Sequence, residues 1–348
     1  MTAPAVTIHR LDPADRTTAQ RWDEFVLACP QATFFHRSGW QRVVREAFRH
    51  DTYFLFTESA GRIDGVLPLA QVKSWLFGHS LVGLPFAVYG GAVGSPEAIA
   101  ALEAHARQLG QTLGADHLEL RNTIRRHDDW PIQDLYVTFR KAILPEEEAN
   151  MLAIPRKQRA MVRKGIKLGL TCALDRDIER FFGLYADNVH RHGTPALSKR
   201  YFQLLRDEFG SDCEVLTVCD AGGQPLSSVL SFYFRNEVLP YYAGDAVAAR
   251  ETAANDFKYW ELMRRACGRG LGVFDYGRSK QGTGSFAFKK NWGFEPQPLY
   301  YEYCLYRRDS IPQHNPANAK YRLLIETWRR MPIGLANWLG PKVVRSLG

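Results

Sequence analysis

The most informative stretch of the chain is Phe274-Asp275-Tyr276-Gly277-Arg278-Ser279-Lys280-Gln281-Gly282-Thr283-Gly284-Ser285-Phe286-Ala287-Phe288-Lys289-Lys290-Asn291-Trp292-Gly293-Phe294. Its pattern predicts an apolar strand, a glycine-rich loop and a short helix that begins near Gly284. Backbone N–H groups at the start of such a helix point toward an incoming anion, and Gly282 and Gly284 keep its approach free of side chains. Arg278 adds positive charge and Ser285 a hydroxyl. We predict an anion-binding loop here, with an ordinary glycine-rich turn as the alternative.

Other chemistries lack their sequence signatures. The loop contains neither the Gly-Lys-Ser/Thr of a Walker A motif nor the GxGxxG of a dinucleotide-binding motif. A Gly-x-Ser-x-Gly elbow is also missing, which disfavours serine-hydrolase chemistry. The six cysteines form no CxxC pair, and the histidines show no metal-ligand spacing. We therefore predict no metal site, and reduced cysteines.

Size and composition indicate an ordinary globular protein. The 348 residues are 45% hydrophobic and 24% charged, which excludes large-scale disorder. The length predicts about two domains. No apolar run approaches the roughly 20 residues that span a bilayer, and the N-terminus has no apolar signal segment. We predict a cytoplasmic location, with peripheral contact to the inner membrane depending on the C-terminal tail.

Both halves of the chain show the same order of predicted elements. Helices come first, followed by an antiparallel hairpin or meander, a helix, a short strand and a last strand. This order predicts an α/β (α+β) fold built from a duplicated unit, although no residue-level repeat is visible. We predict an N-terminal domain (residues 1–148), a C-terminal domain with the anion-binding loop (149–314) and a basic amphipathic tail (315–348).

The net charge of +8 is concentrated in two segments. Residues 149–174 carry six bases and no acid, and residues 315–348 carry six bases and one acid, so the rest of the chain sums to −3. A slightly acidic body with two basic segments favours phosphate-bearing substrates over an extended nucleic-acid track, and DNA is not an expected partner.

The first basic segment is a predicted helix with a continuous positive stripe. Arg156, Arg159, Arg163 and Lys167 follow one another at helical spacing and cannot pair among themselves. The stripe predicts a phosphate-bearing partner: CoA, a nucleotide-linked sugar, a lipid-linked diphosphate or tRNA. A solvated helix whose bases pair with acids elsewhere is the alternative.

The second basic segment mixes bases with apolar and aromatic residues, which are Tyr321, Leu323, Leu324, Trp328, Met331, Ile333, Leu335, Trp338 and Leu339. This mixture suits contact with an anionic membrane surface that the tail does not span. A helix packed on the body of the protein would have the same composition.

Five separated segments resemble the FemAB family. They are Leu84-Pro85-Phe86-Ala87-Val88-Tyr89-Gly90-Gly91, Leu118-Glu119-Leu120-Arg121, Pro155-Arg156-Lys157-Gln158-Arg159-Ala160-Met161-Val162-Arg163-Lys164-Gly165, Tyr242-Ala243-Gly244-Asp245 leading to Asn255-Asp256-Phe257-Lys258-Tyr259-Trp260, and the Asp275–Phe294 region. The resemblance covers most of residues 20–307. It is closest to FemAB-like proteins encoded with exosortase/PEP-CTERM and exopolysaccharide systems.

The resemblance implies two tandem GNAT-like (acyl-CoA N-acyltransferase-like) domains with a C-terminal helical tail, of which the second domain has the more intact donor site. FemAB members transfer an aminoacyl group from aminoacyl-tRNA to an amine of a peptidoglycan precursor, and other relatives are acyl-CoA-type N-acyltransferases. No cofactor is expected to be bound, and acyl-CoA or aminoacyl-tRNA is the implied co-substrate. The tRNA donor is the less favoured one, because this chain lacks the coiled-coil insertion of many FemAB proteins.

Two residues are predicted to be catalytic. In GNAT-like enzymes a Tyr-x-x-x-Gly-Phe junction supplies the tyrosine that protonates the leaving thiolate, and the matching position here is Lys289. A lysine could stabilise the oxyanion or protonate the leaving group. A solvated surface lysine is the alternative, and we favour it for Lys290. Asp245 could accept a proton from the attacking amine, or it could cap a turn.

The remaining predicted site residues bind substrate or donor. Tyr242 and Tyr276 are expected to line the cleft, and Tyr241 is expected on the opposite strand face from Tyr242. Arg159 and Arg163 are expected to contact phosphate. Tyr89 and Arg121 are included because they lie in the family-like segments of the first half.

Three functions follow from these observations. The first is transfer of an acyl or aminoacyl group to an amine of a cell-envelope or exopolysaccharide-related substrate. The second is aminoacyl-tRNA-dependent peptidyl transfer onto a peptidoglycan precursor. The third is a non-catalytic assembly factor for the envelope or exopolysaccharide that keeps the fold as a binding module.

Overall fold

A computed structural model describes residues 7–74, 78–312 and 319–346. The chain forms two compact units. Unit 1 comprises Met1–Asp134, Pro298–Gln313 and Arg345–Gly348, and unit 2 comprises Leu135–Gln297 and His314–Val344. All six cysteines lie in the described part and are free thiols.

Unit 1 contains β1 (Thr7–Arg10), α1 (Arg16–Ala28), α2 (Gly39–Phe48), β2 (Asp51–Ser59), β3 (Arg62–Ser74), β4 (Gly78–Gly83), β5 (Val93–Gly94), α3 (Pro96–Thr112), β6 (His117–Asn122), β7 (Ile132–Gln133) and, from far along the chain, β16 (Tyr300–Leu305). Its sheet has the order β1-β2-β3-β4-β6-β16-β7, and β5 pairs with β3. Strands β4 and β6 are parallel, with Ser80 opposite His117, and the other pairs are antiparallel. The helix α3 connects the parallel strands and packs its buried face, which includes Leu102 and Ala106, on the sheet.

Unit 2 contains β8 (Tyr136–Ala142), α4 (Glu147–Ala153), α5 (Arg156–Lys167), β9 (Thr171–Leu174), α6 (Glu179–Arg191), α7 (Lys199–Phe209), β10 (Cys213–Cys219), β11 (Pro225–Phe234), β12 (Glu237–Asp245), α8 (Ala249–Thr252), α9 (Ala254–Gly268), β13 (Val273–Asp275), β14 (Ser279–Lys280), α10 (Gly284–Asn291), β15 (Pro296–Pro298), α11 (Ala319–Arg330) and α12 (Ile333–Val344). Its sheet has the order β14-β8-β13-β12-β11-β10-β9, and β15 pairs with β8.

A parallel pair of strands also marks the centre of the sheet in unit 2. Strands β12 and β13 pair only at Glu237–Val273 and Val238–Phe274, and β12 then runs on to Asp245 without β13 beside it. The helix α9 connects the two strands and buries Phe257, among other residues, in the core. The two strands therefore separate toward their carboxyl ends.

Both units have the same arrangement, which confirms the duplicated unit predicted from the repeated order of elements. Each has an antiparallel meander, a connecting helix, a parallel strand and a further antiparallel strand beside it. In unit 2 that last strand is β8, which begins the unit, and in unit 1 it is β16, which comes from far along the chain. A division at residue 148 places β8 with the N-terminal domain and β16 with the C-terminal one, because a linear division cannot follow a chain that returns to its first unit.

The C-terminal helices pack on α6. His190 Nε2 lies 2.9 Å from the carbonyl oxygen of Met331. A Cβ at Gly340 would lie 2.8 Å from the carbonyl oxygen of Ala196, so the backbone of α12 approaches the 193–197 segment closely. Among the residues that the structure describes, no helix is long and apolar enough to cross a membrane.

Candidate active site

The glycine-rich loop begins at the end of β13, where a buried carboxylate fixes the turn. Asp275 is fully buried and accepts hydrogen bonds from Arg140 Nη1 (2.8 Å) and from the backbone N–H of Gly277 (2.7 Å). Thr138 Oγ1 lies 3.4 Å from the same carboxylate. Because β8 supplies two of these partners, this first strand of unit 2 positions the loop.

Lys289 extends from α10 to the underside of this loop. Its Nζ donates to the carbonyl oxygens of Tyr276 (2.7 Å), Gly277 (3.0 Å) and Arg278 (3.1 Å). The side chain is buried, and burial lowers the pKa of Lys289 to about 7 against the opposing charge of Asp275. Lys289 is therefore not a solvated lysine, whereas its neighbour Lys290 is exposed.

The bonds of Lys289 define what its ammonium can do. A lysine ammonium has three hydrogens, and three carbonyl oxygens accept them here. Lys289 therefore holds residues 276–278 in a fixed conformation. It can reach a substrate oxygen or donate a proton only by giving up one of these carbonyls.

The outer part of the loop is exposed. The guanidinium of Arg278 lies 4.5 Å from the ring centroid of Tyr136. Gly282 has a φ of +75°, which favours glycine, and a Cβ at Gly284 would meet open space. Ser285 Oγ lies 3.3 Å from Ser279 Oγ. Arg278, Gly282, Gly284 and Ser285 thus share one accessible loop above Lys289.

Asp245 at the end of β12 is held by a buried cation. Lys258 of α9, whose side chain is fully buried, donates to Asp245 Oδ1 at 2.9 Å. Ser227 Oγ donates to the same oxygen, and Arg191 donates to the backbone carbonyl of Asp245. The Asp245 side chain keeps 30% exposure, so the carboxylate remains accessible although it is ion-paired.

An aromatic cluster links the end of β13 to α9 and α10. The rings of Tyr259 and Tyr276 lie 4.8 Å apart, and Trp292 Nε1 donates to Asp256 Oδ1 at 2.9 Å. Burial raises the pKa of Asp256 and raises that of Tyr276 well above its usual value. Within the described residues, the buried hydroxyl of Tyr276 has no hydrogen-bond partner. Tyr276 is thus part of the packed floor below the loop.

Tyr242 lies in a different layer, against α6 and α7. Its hydroxyl is 2.9 Å from that of Tyr201, and its ring also contacts Tyr185 and Phe202. The predicted opposite facing of Tyr241 and Tyr242 is wrong, because their ring centroids are only 4.8 Å apart. The register of β11 and β12 shifts here, and a β-bulge breaks the alternation of side chains.

The basic face of α5 lines a recess of about 590 Å³, formed by Arg156, Arg159, Ala160, Arg163, Lys164 and Lys167. Among the described residues, none of the side chains of its bases forms an ion pair or a hydrogen bond. The alternative in which these bases pair with acids elsewhere is therefore not what the structure shows. Arg159 and Arg163 lie together on this face, on a different element from the loop of residues 277–285.

Tyr89 lies in the interior of unit 1, in a loop rather than a strand. The apolar run over residues 81–89 resembles a strand in sequence, but β4 ends at Gly83. Leu84 and Phe86 then have φ values of 50° and 64°, which interrupt the extended conformation. Tyr89 is 2% exposed.

Arg121 of β6 holds the same loop in place. It donates to the carbonyl oxygens of Leu84 (3.2 Å) and Ala87 (2.7 Å) and pairs with Glu119 at 2.7 Å. The N–H of Gly90 donates to the carbonyl oxygen of Arg121 at 3.1 Å, so the loop runs beside β6 beyond its parallel pairing with β4. The space beside β6 at this edge of unit 1 is thus occupied by the chain itself.

Sequence reasoning missed Lys258, Asp256 and Ser227 as parts of the site. The signal for Lys258 is its position in α9 between Phe257 and Trp260, on the buried side of the helix, where a charged residue needs a partner. Ser227 carried no local signal. In the part of the chain that the structure describes, no three His, Cys, Asp or Glu side chains are grouped as metal ligands.

Comparison with known proteins identifies the domain type. Residues 153–290 match the family described as "Acetyltransferase (GNAT) domain". No curated protein matches the sequence significantly.

Solved structures share the fold at low sequence identity. The match to FemX covers 86% of this chain and 98% of the FemX chain, with a TM-score of 0.69 and 15% identity. A second match is the C-terminal domain of a protein from Agrobacterium fabrum that is described as a "Putative Lysylphosphatidylglycerol Synthetase". This match covers 89% of this chain and 95% of that domain, with a TM-score of 0.58 and 16% identity. The match to a tandem GNAT protein from the clavulanic acid biosynthesis pathway covers 88% of this chain and 100% of that protein's chain, with a TM-score of 0.54 and 14% identity. Residues 153–290 therefore match a GNAT acetyltransferase domain, and the chain has a tandem GNAT-like fold that is similar to the structure of FemX.

Proposed function

We propose that the chain is an N-acyltransferase whose reaction takes place in unit 2. One combined observation carries the proposal. The parallel strands β12 and β13 separate, and the loop that follows β13 is held by hydrogen bonds from the buried Lys289. Both features lie inside the region that matches a GNAT domain. In unit 1 the loop held by Arg121 occupies the corresponding edge, so we assign the reaction to unit 2.

The proposed chemistry is attack of an amine nitrogen on the carbonyl carbon of an activated acyl group. The new C–N bond forms a tetrahedral oxyanion, whose collapse breaks the bond to the leaving group, and the amine loses a proton. Lys289 fixes the carbonyls of residues 276–278, and its pKa near 7 allows proton transfer to the leaving group once one carbonyl bond is released. Asp245, paired with Lys258, is the proposed proton acceptor.

The donor is an acyl-CoA or an aminoacyl-tRNA, and each has its own support. The similarity in fold to a tandem GNAT protein from the clavulanic acid biosynthesis pathway, whose structure is described as being without AcCoA, favours a CoA donor. The basic face of α5 carries bases over three helical turns and no acid. This face is longer than one diphosphate group, so it favours an extended phosphate chain such as tRNA. The absence of a coiled-coil insertion in the sequence weighs against tRNA.

The acceptor is proposed to be an amine of a cell-envelope or exopolysaccharide-related substrate. Its support is the resemblance to the exosortase/PEP-CTERM-associated branch of the FemAB family. Transfer to a peptidoglycan precursor by aminoacyl-tRNA is the second candidate, supported by the fold shared with FemX.

The test is a matrix of two donor classes and several acceptor amines. Purified protein is incubated with an acyl-CoA panel and with charged tRNA, each with amino-sugar and peptidoglycan-precursor acceptors, and products are identified by mass spectrometry. Acceptor-dependent acylation with one donor class supports an acyltransferase. Ligand binding without acylation or donor hydrolysis would instead support the third candidate, a binding module for envelope or exopolysaccharide assembly.

A further inference from the structure

The C-terminal helix α12 has one face on the protein and another in solvent. Ala336 and Val344 are buried, and the backbone at Gly340 lies against Ala196. On the opposite side, Leu335, Trp338 and Lys342 are exposed. The tail is therefore packed on unit 2 by one face, which leaves the role of its outer face to be explained.

The outer face combines apolar side chains with a cation. Leu335 and Trp338 are 44% and 61% exposed. Leu335, Trp338 and Lys342 follow at helical spacing on one side of α12. Lys342 Nζ lies 3.4 Å from the ring centroid of Trp338, so the ammonium and the indole form one amphipathic group.

The C-terminal segment is mainly basic. Residues 315–348 contain six bases, and Glu326 is the one acid in that segment of sequence. Arg329 and Arg330, at the end of α11, are exposed. Large apolar side chains that are exposed beside bases indicate a contact surface, because keeping an indole ring in water costs free energy.

We propose that the outer face of α12 docks the protein on an anionic lipid surface. Trp338 and Leu335 enter the headgroup region, while Lys342 stays beside the lipid phosphates. A protein partner is the less suitable occupant, because stable protein interfaces bury about 800 Å² per partner, far more than a strip of three side chains offers. A fluid lipid surface requires no such area or shape. The proposal does not depend on the proposed acyl transfer.

The experiment measures partitioning of the full chain onto vesicles. Phosphatidylcholine vesicles with about 30% phosphatidylglycerol are compared with pure phosphatidylcholine vesicles by co-sedimentation at low and high salt. We expect binding at least about tenfold stronger to the anionic vesicles, weakened by salt. Equal binding to both vesicles, or none, overturns the proposal.

Two variants locate the surface. Trp338→Ser and Lys342→Glu should each lower the partition coefficient by about fivefold or more, and Trp338→Phe should retain most of it. Val247→Ser, which removes a 72% exposed apolar side chain elsewhere in unit 2, is the matched control and should bind as wild type. Because these side chains are exposed, thermal melting by circular dichroism should be unchanged.

The basic helix α5 is the competing source of attraction. If Arg159→Glu abolishes vesicle binding while Trp338→Ser and Lys342→Glu leave it intact, the lipid contact belongs to α5 and the proposal for α12 is wrong. Blue-shifted tryptophan emission on anionic vesicles, reduced in Trp338→Phe, would place the indole in the headgroup region.

Discussion

A buried ammonium that donates to three carbonyl oxygens can act as a clamp or as a proton donor. For Lys289 the clamp is visible in the structure, and the proton donor requires one bond to open. Either role makes the side chain indispensable, since its removal leaves three carbonyl groups of residues 276–278 without their common donor. Lys290 gives a matched comparison, because it is adjacent in α10 and exposed.

We expect Lys289→Met to lower kcat/KM by at least about 100-fold, the usual effect of losing a positioned charged donor. Lys290→Met should stay within about twofold of wild type. Both are measured with the donor that the substrate matrix identifies, after circular dichroism has shown that each variant is folded. Activity of Lys289→Met within threefold of wild type would remove this lysine from the mechanism.

A second residue-scale prediction concerns the buried pair of Lys258 and Asp245. Lys258→Met should lower the free energy of unfolding by about 1–3 kcal/mol, less than for a fully buried pair because the Asp245 side chain is 30% exposed and partly solvated. The measurement is equilibrium unfolding in urea.

The double variant Lys258→Met/Asp245→Asn is the control for the pairing itself. The double variant should lose less free energy of unfolding than the two single variants lose together, because no uncompensated buried charge remains in it. Additive costs would show that the two side chains do not interact energetically.

At the scale of elements, α5 is unusual because its bases have no acidic partner among the residues that the structure describes. Its buried residues Gln158, Val162 and Gly165 pack on the core, and its six bases lie outside this buried face. Gly165 lies close to Phe257 of α9, where a Cβ would approach Phe257 Cβ to 2.9 Å. The helix is therefore fixed tightly to the core while its basic face remains available to a phosphate-bearing partner.

Charge reversal on this face tests its role. Arg159→Glu and Arg163→Glu should weaken donor affinity about tenfold each at low salt, and a tRNA donor should also lose salt dependence, with the log–log slope falling by about 1 per removed contact. Lys157→Glu, on α5 but not among the residues that line the recess, is the control and should change affinity little. Affinity is measured by titration at several salt concentrations, and equal effects of all three variants would indicate general attraction without a site.

At the scale of the whole molecule, unit 1 contains a pH-sensitive cluster that joins elements distant in sequence. His127 stacks on Trp130 at a centroid distance of 3.8 Å, and its ring nitrogens lie 3.3 Å from Glu103 of α3 and 3.6 Å from Glu302 of β16. Burial opposes the charged imidazolium, but the two carboxylates outweigh it and raise the pKa of His127 to about 9.

A raised pKa in the folded state gives the stability a definite pH dependence. Because the unfolded histidine titrates near 6.5, the contribution of His127 is complete below pH 6.5 and is lost as the pH rises to about 9. The free energy of unfolding of wild type relative to His127→Gln should therefore fall by up to about 3 kcal/mol across that range. Urea unfolding at several pH values measures it, and NMR titration of the imidazole gives the pKa directly. A measured pKa near 6.5 would contradict the assignment, and Glu103→Gln should lower the value.

The features that the sequence alone established are local ones. The helical spacing of α5, the strand–loop–helix order around residues 274–291 and the duplicated order of elements could all be predicted, because periodicity and turn residues act within a few positions of each other. The same holds for the placement of the charge in two segments, although whether those bases were paired could not be read from spacing.

Only the tertiary structure decided which distant residues meet. Three features join residues that are distant in sequence: β16 enters the sheet of unit 1, Lys258 pairs with Asp245, and three carbonyl oxygens surround Lys289. No periodic pattern records such contacts, because they follow from how sheets and helices pack, and burial then determines which charges need partners. The apolar run over residues 81–89 shows the same limit: β4 ends at Gly83 within it, and the rest is a buried loop whose carbonyl oxygens at Leu84 and Ala87 accept hydrogen bonds from Arg121.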